Sequence, residues 1–306
     1  MKKISFIIPV YNEEDNIEET FEKLKKFTQN KNFDFEFIFN DNHSSDNTFI
    51  LLKSICEKDK RFKVNRFRKN YGYQRSIMYG FQNCSGDAAI QYDCDNQDPL
   101  MIVEKFIEKW NEGYEMLYGI RVKRKESFIV NAIRNLTYKI FKIISKNNMP
   151  ENAGDFRLID KKVLNFLKNI NDKNIFIRGL LHDAGFKSLG IPYDREARLH
   201  GKSKFTFFDY FKISFDALIN HSNFLLKFSM IFSLLIFFLF ISALIVYFYI
   251  FFTQDKIPEG WMTIVILILM NIFVTGIFSG VMTVLLQRIL EISANTEQIM
   301  LEEKIN

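Results

Sequence analysis

Residues 4–10 read ISFIIPV and run directly into the polar stretch Tyr11-Asn12-Glu13-Glu14-Asp15. A short apolar run closed by a proline and then by polar residues reads as a buried strand. An amphipathic stretch, Glu14 to Thr28, follows it. The same unit recurs outward along the chain: FEFIFN (35–40) before Asn47 to Lys58, FKVNRF (62–67) before Gln74 to Asn83, DAAIQYD (87–93) before Leu100 to Asn111, then YEMLYG (114–119). Strands alternating with helices in this way predict an α/β fold around a largely parallel sheet. MKKISFIIPV (1–10) also mimics a signal peptide, but Pro9 and the polar run Asn12 to Asp15 cut its apolar stretch short, which favours the strand.

Ligands of such sheets gather beyond the carboxyl ends of the strands. Polar residues cluster where those ends are expected: Tyr11-Asn12-Glu13, Asp41-Asn42-His43-Ser44-Ser45-Asp46, and Asp93-Cys94-Asp95-Asn96-Gln97-Asp98. Neither a GxGxxG nor a Walker lysine loop occurs, which argues against a dehydrogenase or a P-loop NTPase. In DCDNQDP (93–99), residues i, i+2 and i+4 of an extended backbone share a face. Asp93, Asp95 and Gln97 would then present three oxygens to one point, as a hard divalent cation such as Mg²⁺ or Mn²⁺ requires. Asp98-Pro99 reads as a helix start with Asp98 as its cap.

The whole chain has 306 residues, 48% hydrophobic and 25% charged, which excludes disorder. A net charge of +5 argues against a nucleic-acid binder. Cys56, Cys84 and Cys94 form neither a disulfide set nor a metal knuckle and point to a reducing compartment. The 34 phenylalanines exceed what a soluble core needs. Many lie in two uncharged runs, 228–252 and 260–287, each longer than the roughly 20 residues that cross a bilayer. Only TQDKIPE (253–259) separates them, so they predict a transmembrane hairpin, with Gly276 and Gly280 spaced for close helix approach. Lys202, Lys204, Lys212 and Lys227 before the first run and Arg288 after the second place both termini in the cytoplasm. Phe128 to Lys146 has the spacing of a basic amphipathic helix suited to an anionic membrane surface. The aromatic stretch Phe205 to Leu218 is a second interfacial candidate.

FIIPVYNEE (6–14), the NDNHSSDNT turn (40–48) and DCDNQDP, in this order on alternating elements, resemble the nucleotide-sugar domain of family 2 glycosyltransferases. KNYGYQRS (69–76), WNEGYEMLYGIRVKR (110–124), NAGDFRLID (152–160), FIRGLLHDAGF (176–186) and REARLHGKSKF (195–205) extend the likeness. With the hairpin, the chain resembles the polyprenyl-phosphate glycosyltransferases, relatives of bactoprenol glucosyltransferases and dolichol-phosphate mannose synthase. The resemblance implies a GT-A-like cytoplasmic domain over 1–204, a juxtamembrane amphipathic segment over 205–227, transmembrane helices over 228–252 and 260–287, and a cytoplasmic tail over 288–306. It implies that Pro9, Tyr11, Glu13, Asp41, Asn42 and Asp93 bind the nucleoside, and that Asp93, Asp95 and Gln97 hold Mg²⁺ or Mn²⁺. Arg121, Arg124, Arg178, Arg198, Ser203 and Lys204 would meet the donor diphosphate or the acceptor phosphate, and Asp155 would be the catalytic carboxylate on the acceptor side. Where the family's second turn usually reads Asp-Asp-Gly, this chain has Asp41-Asn42-His43.

The implied activity is inverting transfer of one sugar from a nucleotide sugar to undecaprenyl phosphate at the inner-membrane face, in service of a cell-envelope glycan. Its partners are the donor, the lipid acceptor and the bilayer, with no nucleic acid; a homo-oligomer is compatible with the sequence. Two alternatives stay open: a membrane glycosyltransferase that extends a lipid-linked glycan, and an inactive homologue serving as a membrane scaffold.

Overall fold

The computed structural model describes residues 1–29, 31–122, 153–170, 177–196, 224–253, 260–293 and 299–306. The expected alternation is present: β1 (Lys3–Val10), α1 (Glu14–Thr28), β2 (Asp34–Asp41), α2 (Thr48–Lys58), β3 (Phe62–Phe67), α3 (Tyr73–Asn83), β4 (Ala88–Gln91), α4 (Leu100–Asn111) and β5 (Met116–Arg121). Beyond these come β6 (Ala153–Asp160), α5 (Lys161–Lys168), α6 (Ile177–Asp183) and β7 (Ser188–Tyr193). Two long helices, α7 (Phe224–Thr253) and α8 (Trp261–Ser293), precede a terminal strand, β8 (Leu301–Ile305).

The eight strands form one sheet in the order β7-β5-β6-β4-β1-β2-β3-β8. Parallel pairing joins β4, β1, β2 and β3 and also β5 and β7, whereas β6 and β8 run antiparallel to their neighbours. Successive β1 side chains point to opposite faces, so an almost wholly apolar strand feeds two cores. Phe6 and Ile8 pack with α1, α2 and α4 through Phe21, Leu24, Leu52, Ile55, Val103 and Phe106. Ile7 packs on the other face with α3, α5 and α6 through Ile77, Phe81, Leu164, Leu167 and Leu181. Pro9 has no N–H, and the β1–β4 pairing ends at Ile7, so it costs no ladder bond there.

Part of the phenylalanine surplus belongs to this domain rather than to the apolar runs, a correction to the sequence reading. Phe62 stacks on Phe37 with ring centroids 4.3 Å apart and meets Phe21 edge-on at 4.9 Å. Aromatic pairs of this kind add to the area they bury.

The expected tail is likewise more than a tail. Its strand β8 lies antiparallel against β3 and covers what would otherwise be an open sheet edge. Arg66 pairs with Glu302 at 2.9 Å and Lys53 with Glu303 at 3.1 Å, which ties the strand down.

At the opposite end of the sheet from the loops described below, Glu36 is 2% exposed and accepts from Ser5, Ser85 and Lys63. Burial alone would raise its pKa, but these donors outweigh burial and pull it from 4.5 to about 2. The resulting stabilisation is complete above the ordinary carboxylate value and is lost as pH falls toward about 2. Glu36→Gln is therefore expected to cost about 2 kcal/mol at neutral pH. Its melting temperature should fall less than the parent's between about pH 5 and pH 3; parallel melting curves would refute the assignment.

α7 and α8 belong to a second unit. Thr263–Leu286 of α8 is long and apolar enough to cross a membrane, with mean hydropathy 2.5 and none of it buried. In α7 the described side chains give a shorter apolar stretch, Phe237–Thr253. The two helices touch through Phe273, whose ring lies 6.0 Å from Phe237 and 6.1 Å from Phe240.

Candidate active site

β1 has β2 on one side and β4 on the other, so the chain order reverses there. Such a switch point is where open α/β sheets leave a crevice beyond their carboxyl ends. Residues 11–13, 41–46 and 92–98 all leave the sheet at this edge. β6 runs the other way, so its start brings Asp155 to the same edge, and β5 and β7 end there at Arg121 and Tyr193.

Three non-glycine residues in left-handed conformation turn these loops: Asn12 (φ 53°), His43 (φ 64°) and Asn96 (φ 54°). Asparagine tolerates this region, whereas His43 stands where glycine would carry no Cβ penalty. That is the physical content of the Asp-Asp-Gly departure. His43 is held by its ring Nδ1, 3.1 Å from the Phe67 carbonyl and 3.4 Å from Glu302. The first two turns are bound together: the Asn12 N–H donates to Ser44 Oγ at 2.9 Å and the Ser45 N–H to Asn12 Oδ1 at 2.8 Å. Asp41 accepts from the Ser44 N–H and hydroxyl at 2.9 and 2.6 Å, and burial still pushes its carboxyl up. Asp41 Oδ2 and Asn42 Oδ1 are buried with no hydrogen-bond partner among the described residues. Such orphaned acceptors suit a ligand that brings donors. Glu13 occupies the N-cap position of α1 without a capping bond; its carboxylate accepts from Asn16 at 2.7 Å. Tyr11 is 39% exposed at this edge.

The acidic loop departs from expectation. β4 ends at Gln91, and the left-handed Asn96 breaks the extended path, so Asp93, Asp95 and Gln97 do not share a strand face. Asp93 accepts from the Tyr73 hydroxyl at 2.6 Å. Asp95 accepts from the Gln97 N–H at 3.2 Å and from Arg195 at 3.3 Å. The Gln97 amide donates to the Glu196 carbonyl at 3.1 Å. Asp98 is not a helix cap, because the N-cap of α4 is Pro99; instead Asp98 accepts from the Tyr193 hydroxyl. Gly119 makes this possible, since a Cβ there would come within 2.4 Å of the Tyr193 ring. Arg121 in turn donates to the Tyr193 oxygen at 3.4 Å.

The carboxylate and amide oxygens of Asp93, Asp95 and Gln97 are hard donors, the chemistry that Mg²⁺ or Mn²⁺ takes. Asp93 is half-buried; burial and the carboxylates of Asp98, Asp95 and Asp155 push its pKa up to about 7, a congestion of negative charge that a divalent ion relieves. Among the described residues no three Asp, Glu, His or Cys side chains converge into a complete cage. Substrate and water oxygens would have to fill the rest, as is usual for Mg²⁺.

Asp155 sits among cations. Arg178 Nη2 lies 2.7 Å from Oδ2 and Arg157 Nη2 lies 3.3 Å from Oδ1. Burial would raise this carboxyl, but Arg178 and Arg157 outweigh it and hold it below the usual range. Burial lowers Arg157 to about 10, which still leaves it charged at neutral pH. Arg124, Arg198, Ser203 and Lys204 lie outside the described residues, as do 128–146 and 205–218. Tyr73, Arg157, Tyr193 and Arg195 went unread in the sequence as partners of the acidic residues.

The chain is similar to several known proteins. Residues 5–167 match the family described as glycosyl transferase family 2. An uncharacterized glycosyltransferase, YkcC of Bacillus subtilis, is 32% identical over 92% of this chain and 85% of its own length. A bactoprenol glucosyl transferase of Shigella phage SfV is 30% identical over 74% of both chains. Among solved structures, the mannosyltransferase PcManGT of Pyrobaculum calidifontis, in complex with GDP-Man and Mn²⁺, is similar with a TM-score of 0.48 at 12% identity, covering 97% of this chain and 76% of that one. With the family match spanning more than half of its residues and the acidic loop at the switch point of a mostly parallel sheet, the chain belongs to glycosyl transferase family 2.

Proposed function

We propose that this glycosyltransferase moves one sugar from a uridine diphosphate sugar to a polyprenyl phosphate, undecaprenyl phosphate in particular, with inversion at the anomeric carbon. The observation that carries the reading is the succession along one sheet edge of orphaned acceptors at Asp41 and Asn42, the acidic loop at 93–98, and Asp155 clasped by two arginines. The name of the phage relative supports the lipid acceptor. Asp41 and Asn42, with Pro9, Tyr11 and Glu13 around them, take the nucleoside. Asp93, Asp95 and Gln97 hold Mg²⁺ or Mn²⁺, which would neutralise the charge gathering on the leaving diphosphate. Arg121, with Arg124, Arg198, Ser203 and Lys204, supplies fixed donors to the phosphates.

A phosphate monoester has a second pKa of about 6 and is already anionic at neutral pH. Its oxygen attacks the anomeric carbon, and the bond to the diphosphate breaks with its electron pair leaving on the nucleotide. No strong base is needed. A carboxylate saturated by two guanidiniums is a poor one, since general bases work best with a pKa near the operating pH. Asp155 therefore orients Arg178, which meets the acceptor phosphate.

α7 and α8 form a hairpin through the membrane, over 228–252 and 260–287, with both termini and the catalytic domain cytoplasmic. The pairing of β8 with β3 supports this: the chain leaves the sheet's domain and rejoins the same sheet, so it crosses the membrane an even number of times or not at all. A cysteine at Thr253 should be labelled from the periplasmic side and one at Lys304 should not; the reverse pattern refutes the topology.

The test of function is incubation of the purified protein with undecaprenyl phosphate and a panel of nucleotide sugars, followed by the mass of the lipid product. Uracil offers one N–H donor beside carbonyl acceptors, which an Asn amide matches, whereas guanine offers two adjacent donors that suit a carboxylate. UDP should therefore compete better than GDP, and Asn42→Asp should narrow the gap. Tighter binding of GDP to the parent would overturn the uridine assignment.

A further inference from the structure

The acidic loop already has a cation. Two residues beyond the end of β7, the Arg195 guanidinium turns back between Asp95 and Asp98, with Nη2 3.3 Å from Asp95 Oδ2 and Nε 3.6 Å from Asp98 Oδ1. Both carboxylates are deeply buried, with side chains 8% and 1% exposed. The fork is poorly seated: its Nε is buried and has no hydrogen bond among the described residues, since 3.6 Å exceeds bonding range. Two bonds clip the same backbone to the loop, from the Gln97 amide to the Glu196 carbonyl at 3.1 Å and from the Glu196 N–H to the Gln97 carbonyl at 2.9 Å. A guanidinium that bridges two carboxylates while leaving one of its own donors unused is held by charge more than by geometry. It is the kind of contact a better cation displaces.

We propose that Arg195 is the resident counter-ion of the loop. It neutralises Asp95 and Asp98 until a divalent cation binds, then gives up Asp95 and offers its fork to the donor diphosphate, for which a planar bidentate donor is suited. This rests on the reading of Asp95 as a cation ligand. Arg195 and the metal thus compete for one carboxylate oxygen of Asp95.

The test needs no turnover. Mn²⁺ is titrated against the full chain in detergent, without nucleotide, and free Mn²⁺ is followed by its paramagnetic resonance signal. Arg195→Gln removes the competitor and should bind Mn²⁺ about tenfold more tightly than the parent. Arg195→Lys keeps the charge but lacks the fork that reaches both carboxylates, so it should shift in the same direction. If the lysine variant binds like the parent while the glutamine variant tightens, diffuse repulsion is at work and the counter-ion role is overturned. Equal affinity in all three overturns it too, and leaves the metal reading standing. If none takes up Mn²⁺ even with UDP present, the metal reading fails and the proposal falls with it.

Discussion

Asp95→Ala is expected to lower sugar transfer at least about a thousandfold, because on the proposed reading it removes a carboxylate that would support charge neutralisation on the leaving diphosphate. The fold should survive the change. Asp95 accepts from the Gln97 N–H and from Arg195, and Arg195 keeps Asp98 as a partner. Deleting one charge from a congested cluster also relieves repulsion. The melting temperature should therefore stay within a few degrees of the parent's, on the scale of about 1 kcal/mol. A chelator added to the parent protein should reproduce the loss and added Mn²⁺ or Mg²⁺ should reverse it. Full turnover in chelator would end the metal assignment, and a variant that retains most of its rate would remove Asp95 from the site.

The second large effect is expected at Asp155, and it divides stability from chemistry. Asp155→Asn leaves Arg157, whose side chain is 3% exposed, and Arg178 facing a neutral amide. Breaking a buried ion pair by removing one partner costs about 3 kcal/mol. For a domain of this size that is on the order of 10 °C in melting temperature. The double variant Asp155→Asn/Arg157→Met should recover much of the loss, because it removes a buried cation together with its counter-charge. A single variant that melts with the parent refutes the ion-pair account. Acceptor use should weaken more than nucleotide binding. The pH–rate profile should still rise near the second phosphate pKa of about 6, because the nucleophile and not Asp155 titrates there. A defect confined to nucleotide binding would move Asp155 to the donor side.

Much of the protein was legible along the chain because its signals are local. The strand at 4–10 and the helices Glu14–Thr28 and Leu100–Asn111 appear where hydrophobic periodicity put them, since a period of two or of 3.6 residues needs no distant partner to be read. The reversal of strand order at β1 lies where the βα alternation led one to look, and the acidic, amide and tyrosine residues at strand ends were visible as departures from apolar runs. The long uncharged runs announced α7 and α8 for the same reason.

What the chain order concealed was pairing across distance. Asp98 before Pro99 looks like a helix cap because capping is a local bond, yet its partner Tyr193 lies 95 residues away and reaches it only across Gly119. Asp93, Asp95 and Gln97 look like one face of a strand, but β4 ends at Gln91 and their side chains go to Tyr73, Arg195 and Glu196. LEEKI at 301–305 alternates too briefly to be read as a strand; β3 supplies the hydrogen bonds that make it one. The sequence by itself determined the fold class and the residue types gathered at the carboxyl edge of the sheet. Only the tertiary structure decided which carboxylates are already neutralised by arginine, because charge compensation depends on distances of a few ångströms between residues that the chain places tens of positions apart.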